Sequence, residues 1–91
     1  AADAREALAV VRRMAQQPYG VTDHAVAALL SACAAAADAE VGEQAAKFAS
    51  DRNAVVVQNA LIDMYGKCGR IGDARAVFDT MTVRDTISYG A

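Results

Sequence analysis

The nine residues DARAVFDTM at 73–81 repeat an earlier segment, EALAVVRRM at 6–14, and this repetition indicates a chain built of repeated units. Two alanines, a valine and the closing methionine coincide at an offset of 67, and an acidic residue opens both segments. A third copy lies between them, because residues 42–48 share a glycine, an alanine and a phenylalanine with residues 72–78. An offset of 67 is two units of about 33 residues, a length typical of stacked helical repeats.

Apolar residues recur at steps of three and four along nearly the whole chain, which is the period of one helix face. Five such stripes are separated by residues that interrupt helices. The interruptions are Pro18 to Asp23, Asp38 to Glu40, Asp51 to Asn53, and Gly69 to Asp73. The spacing predicts five helices of about 10–15 residues joined by short turns, with Asp23 as the N-cap of the second helix.

The composition suits closely packed helices and argues against several other classes of protein. Of the 91 residues, 23 are alanine, which is the best helix former and lets backbones approach closely. Two cysteines 35 residues apart support neither a disulfide scaffold nor a four-ligand zinc site. No apolar stretch reaches the length of a membrane span, and a net charge of −2 argues against indiscriminate binding of polyanions. The first residues lack the apolar core of a signal peptide, so we expect no targeting segment in this chain.

Each unit is a pair of helices whose apolar face one unit cannot bury by itself, and stacked neighbours supply the missing core. The sequence therefore predicts an all-α fold, an α-solenoid of stacked antiparallel helix pairs. Signals for catalysis are weak by comparison, because His24 is the one histidine and has no second histidine with which to act. We expect no enzyme, no metal and no cofactor.

Residues 59–71, NALIDMYGKCGRI, resemble the most recognisable stretch of plant pentatricopeptide repeat (PPR) proteins. The following segment at 73–81 and residues 84–89, RDTISY, extend the likeness to the short repeat of one subclass, which alternates standard, long and short repeats (PLS type). The resemblance implies four divisions of the chain. They are 1–23, the second helix and tail of a truncated repeat; 24–54, a long-type repeat; 55–85, a short-type repeat; and 86–91, the start of a further repeat.

Proteins of this family bind single-stranded RNA with one base for each repeat, and they act in the chloroplast or the mitochondrion. The resemblance therefore implies single-stranded RNA as the partner and an organelle as the location. Two side chains read the edge of each base, and in the short repeat these correspond to Asn59 and Asp85. Their pairing implies a preference for uracil, with cytosine second, and an asparagine amide offers a donor and an acceptor to that edge. Without the resemblance, the bare sequence favours the other interpretation, in which Asn59 is an ordinary helix-start residue and Asp85 a cap of the next helix.

Three further positions follow from the same resemblance. Val56 and Ile87 correspond to apolar residues that sandwich the base, although by spacing alone both could equally be core residues. Lys67 corresponds to a lysine that faces the RNA backbone, and a cation near a helix C-terminus is also stabilised by the helix dipole. The long repeat has Ala28 and Ala36 at the base-reading and phosphate positions, so we expect little readout from it.

Taken together, the resemblance implies an RNA-binding segment that acts in organellar RNA processing or in recognition of cytidine-to-uridine editing sites. It also implies editing or processing proteins as further partners. The zinc deaminase domain that ends many relatives needs His-x-Glu and Cys-x-x-Cys motifs, and neither occurs in this chain. The alternative function is a segment for protein–protein interaction without base readout, because solenoids of helix pairs also bind peptides.

Overall fold

The structure, a computed structural model, describes residues 4–50 and 52–90, with side chains as far as Met81. These residues form five helices: α1 (Ala4–Ala15), α2 (Asp23–Ala36), α3 (Ala39–Ala49), α4 (Val55–Lys67) and α5 (Ile71–Gly90). The predicted class is confirmed, since the chain is all-helical and its helices pack in antiparallel pairs.

The helices pack in two layers. Helices α2 and α4 lie side by side, and α3 packs against both. Helix α1 packs against α2 and α3, and α5 packs against α4. The principal extents are 43 × 33 × 17 Å. Because neighbouring helix axes lie about 8–10 Å apart, the smallest extent corresponds to two layers of helices.

The core lies between α2 and α4 and extends to α1 and α3. Its largest fully buried side chains are Leu29, Leu30, Met64, Val26, Val57 and Cys33. Helix α3 supplies small residues, among them Ala45 and Ala49, which are wholly buried. A Cβ added at Gly42 of α3 would lie 2.7 Å from the Sδ atom of Met64. The absence of a side chain at Gly42 is therefore what lets α3 approach α4 so closely.

The start of α2 differs by one residue from the sequence prediction. Thr22, rather than Asp23, is the N-cap, and its hydroxyl oxygen accepts a hydrogen bond of 3.1 Å from the Ala25 N–H. Asp23 is the first helical residue, where the positive end of the helix dipole favours a negative charge. Both residue types cap helices well, so the sequence pattern does not choose between them.

The remaining turns follow the residues that interrupt the apolar stripes. Asp38 caps α3 by accepting a 3.1 Å hydrogen bond from the Val41 N–H. Gly69 ends the turn after α4 with a φ of 78°, a left-handed conformation that glycine adopts without strain. Ala37, the C-cap of α2, adopts the same left-handed conformation, with a φ of 51°. This conformation is uncommon for a residue that carries a Cβ.

Helix α5 is longer than the sequence predicts. It spans 20 residues and continues to Gly90, across the predicted boundary between residues 85 and 86. Residues 73–89 contain neither glycine nor proline, so nothing in the local sequence interrupts the helix. That boundary is therefore not marked by the end of a helix, and the four divisions of the chain stay a prediction.

Candidate functional site

One side of α4 combines an apolar, an amide, an acidic and a basic side chain. We call this surface the α4 face, and it consists of Val56, Asn59, Asp63 and Lys67, all exposed. Their spacing of three, four and four residues places them in one row along the helix, about 16 Å long at 1.5 Å per residue. The opposite side of α4 is buried in the core. Helix α4 therefore has two distinct sides. One packs in the core, and the other is exposed and accessible to a ligand.

Val56 lies on this face and not in the core. Its side chain is 45% exposed, whereas that of the adjacent Val57 is fully buried. Two neighbouring residues of a helix point about 100° apart, so burial of one leaves the other outside. An exposed valine beside an asparagine offers a flat apolar surface next to hydrogen-bonding atoms.

Asn59 lies one helical turn beyond Val56 and is also exposed. Position 59 is not at the helix start, because α4 begins at Val55 and Ala54 is its N-cap. The amide is therefore not used as a cap, and it projects from the second turn of the helix. A carboxamide in this position can both donate and accept a hydrogen bond.

Lys67 is exposed near the C-terminal end of α4 and forms an ion pair with Asp63. The Lys67 Nζ atom lies 3.4 Å from Oδ2 of Asp63, and both side chains are more than half exposed. An exposed pair at this spacing contributes at most about 0.5 kcal/mol, so it does not commit the lysine to one partner. Asp63 was not among the residues predicted from the sequence, although its place four residues before a lysine indicates such a pair.

The corresponding positions of α2 carry no polar side chain. Ala28 and Ala36 are exposed, and each presents only a methyl group. Asp85 and Ile87 lie on the backbone of α5, but their side chains lie outside the described residues. Their proposed roles beside Asn59 and Val56 stay predictions.

A groove of about 350 Å³ lies on the other side of α4. It is lined by residues of α3, α4 and α5, including Ala46, Leu61, Tyr65 and Val77. Tyr65 and Leu61 point away from the α4 face, since they lie about half a helical turn from its row. The groove therefore does not contribute to that surface.

The two cysteines lie in surroundings that favour the neutral thiol. Burial raises the pKa of Cys33 to about 11, and the nearby Cys68 and Asp38 add to the effect. Burial also raises the pKa of Cys68 above its ordinary value. Both groups are protonated at neutral pH, and a protonated thiol is a poor nucleophile and metal ligand.

Two classes of site are not found in the part of the chain that the structure describes. No group of three His, Cys, Asp or Glu side chains there could hold a metal ion. No described helix has both the length and the apolar character needed to cross a membrane.

Comparison with known proteins gives relatives of one kind. A pentatricopeptide repeat-containing protein of Arabidopsis thaliana is 36% identical over 87 residues, which are 91% of this chain and 12% of the relative. A second, named as mitochondrial, is 38% identical over 84% of this chain and 8% of its own length. A third, named as chloroplastic, is 33% identical over 94% of this chain and 15% of its own length.

The chain thus spans about a tenth of the length of the curated relatives that it matches. No family model and no solved structure matches it significantly. The identity to the relatives nevertheless extends over most of the chain, and the helix pairs are those that such repeats form. The chain belongs to the pentatricopeptide repeat family.

Proposed function

We propose that the chain is part of a sequence-specific protein that binds single-stranded RNA, in which residues 55–85 read one base and prefer uracil to cytosine. The observation that carries this proposal is the α4 face, where Val56 and Asn59 are exposed side by side on a helix whose other side is buried. Family membership supports it, because the relatives are named for the same repeat.

The chemistry of the α4 face suits an unpaired base. A base in single-stranded RNA offers its edge to hydrogen bonds and its plane to apolar contact. Asn59 supplies the donor and the acceptor, and Val56 supplies an apolar surface for one side of the plane. In the proposed arrangement, Ile87 covers the other side, and the carboxylate of Asp85 orients the amide of Asn59.

Lys67 is the proposed contact for a phosphate of the RNA backbone. Its ammonium group is exposed about 16 Å along the helix from Val56. The weak pair with Asp63 leaves Lys67 able to exchange one anion for another. The alanines at 28 and 36 support the further proposal that the unit at 24–54 adds little to the choice of sequence.

We assign the short unit to the PLS subclass, and the protein to organellar RNA processing or recognition of editing sites. The proposed partners are single-stranded RNA and proteins of editing or processing. The names of two relatives, one mitochondrial and one chloroplastic, support an organelle as the location. The proposed activity is binding, with no catalytic role for these residues.

The uracil preference is tested in an array of repeats that contains the chain, with RNAs that differ only in the base opposite Asn59 and Asp85. We expect binding of the uracil RNA to be about tenfold tighter than that of the two purine RNAs, because one well-placed pair of hydrogen bonds discriminates by about 1–3 kcal/mol. Asp85→Asn should shift the preference towards cytosine. The matched control is Asp79→Asn, an exposed aspartate on the same helix, which should change nothing.

Equal affinity for all four bases would contradict base readout by this unit. Equal affinity together with binding of a helical peptide would instead favour the alternative function, a protein-interaction segment. An Asp85→Asn variant that keeps its uracil preference would remove Asp85 from the readout and leave Asn59 in place.

The phosphate role of Lys67 predicts a different response. Lys67→Ala should weaken binding of every RNA by a similar factor, about threefold, and reduce the salt dependence of the affinity by about one ion. The measurement is a titration at several salt concentrations. Lys47→Ala is the control, since Lys47 is an exposed lysine on α3, away from the α4 face. A loss confined to one base would show that Lys67 does not act through a phosphate.

A further inference from the structure

Arg52 connects the beginning of α2 to the segment between α3 and α4. Its Nη1 atom donates a 2.6 Å hydrogen bond to Oδ1 of Asp23, and its Nη2 atom donates one of 2.6 Å to the Val21 carbonyl. Its Nε atom donates a third, of 3.2 Å, to the carbonyl of Phe48. All three nitrogens of the guanidinium group are therefore engaged, and they fix its plane.

The backbone of Arg52 is held in turn by α4. The side-chain amide of Gln58 donates a 2.6 Å hydrogen bond to the Arg52 carbonyl. Gln58 is only 9% exposed, and a buried amide rarely gives up such a partner. Arg52 thus links the beginning of α2 to α4, where its partner Gln58 directly precedes Asn59 of the α4 face.

Asp23 occupies a position in the repeat that matters for readout. It lies 62 residues before Asp85, which is the combined length of the predicted units at 24–54 and 55–85. By these predicted divisions, Asp23 is the last residue of its unit, as Asp85 is the last residue of the unit at 55–85. Its side chain is 47% exposed at the start of α2, so it can reach a ligand while Arg52 holds one of its oxygens.

An ion pair with these exposures does little for stability. The side chain of Arg52 is 26% exposed and that of Asp23 47%, and such pairs contribute at most about 1 kcal/mol. A fork of hydrogen bonds to a carboxylate and a carbonyl nevertheless fixes orientation better than a single charge does. Orientation of the Asp23 carboxylate is thus the main consequence of the contact.

We propose that Arg52 is a positioning residue for base selection by Asp23. By holding Oδ1, Arg52 fixes the orientation of the carboxylate, so that Oδ2 can restrain the base-reading amide that the same unit supplies upstream, as Asp85 is proposed to do for Asn59. The base that this unit selects then depends on a side chain that belongs to the following unit. The inference rests on the proposed function, because it requires that Asp23 reads a base as Asp85 does.

The test uses an array that contains the chain and is completed upstream by a unit with asparagine at the position equivalent to Asn59. The probes are single-stranded RNAs with uracil or cytosine opposite Asp23. We expect Arg52→Met to lower the ratio of the two affinities about threefold to tenfold, the range for groups coupled through one hydrogen-bond network. The ratio of the affinities for RNAs with uracil and with cytosine opposite Asn59 should not change. Arg70→Met is the control, since Arg70 also pairs with two carboxylates, those of Glu43 and Asp73.

A merely structural role for Arg52 would lower the affinity for both RNAs, or the melting temperature, and would leave the ratio intact; that result overturns the proposal. Arg52→Lys keeps the charge without the fork and should give an intermediate ratio, which provides a test if Arg52→Met fails to fold. On an Asp23→Asn background, Arg52→Met should have no further effect on the ratio.

Failure of the role of Arg52 and failure of the proposed function give different results. If the unaltered array prefers uracil opposite Asn59 but shows no base preference opposite Asp23, the role of Arg52 alone is overturned. Lack of preference at both bases overturns the proposed function, and the inference with it.

Discussion

Replacing Val57 by alanine is expected to lower the free energy of unfolding by about 2–3 kcal/mol. Val57 is fully buried between α4 and its neighbours. The change removes two methyl groups, each worth about 0.8 kcal/mol of burial, and leaves a cavity that adds to the loss. For a domain of this size, such a loss lowers the melting temperature by about 10–20 °C. Urea unfolding followed by circular dichroism measures it.

Val55 provides the matched control two residues earlier on the same helix. Its side chain is 63% exposed, and alanine is the better helix former. Val55→Ala should therefore change stability by no more than about 0.5 kcal/mol. Equal effects at the two positions would mean that α4 is rotated about its axis, and the α4 face would then lose its exposed asparagine as well.

Gly42→Val is the second change with a large expected effect, a loss of about 2–3 kcal/mol. The new Cβ would lie 2.7 Å from Sδ of Met64, closer than nonbonded atoms can approach. Met64 is 1% exposed, so its side chain is enclosed by other core residues. Overpacking of a filled core lowers the free energy of unfolding by about this amount. The loss outweighs the gain that comes from valine being a better helix former than glycine.

Gly66→Val is the control for this second change. Gly66 is also helical, and a Cβ added there would meet nothing within 4 Å. The same substitution should therefore be neutral or slightly stabilising. Combining Gly42→Val with Met64→Ala should cost less than the sum of the two single changes, because the shorter side chain makes room. Additive losses would show that α3 and α4 do not meet at this point.

Much of the fold could be predicted from the spacing of apolar residues. The interruptions at Asp38 and Gly69 coincide with a cap and a left-handed turn, because each residue type favours that local conformation. The predicted N-cap of α2 was wrong by one residue, since Thr22 and Asp23 have similar capping chemistry. The predicted length of α5 was wrong for a different reason. The repeat pattern predicts a new unit after residue 85, but local sequence alone offers no residue that ends the helix.

The candidate site was less accessible to sequence reasoning. Three consecutive valines at 55–57 give no indication of which one faces the core, and only the packing of α4 on α2 decides that Val57 does. The resemblance directed attention to Asn59 and Lys67, but it could not reveal whether they are exposed. The contacts of Arg52 with Val21 and Asp23 span about 30 residues, and no local pattern encodes a pairing at that distance.

The packing order of the helices has a consequence for how such a protein can change. Among the described helices, each touches only those one or two places away along the chain. Physical influence in such a stack passes from neighbour to neighbour and fades with distance. In a protein that recognises RNA through such a stack, a substitution on one helix then changes the base preference at a single position of the target. The preferences at the other positions stay unchanged. New targets become reachable by small, separable steps, except where, as proposed for Arg52, the base that one unit selects depends on a side chain of the next unit.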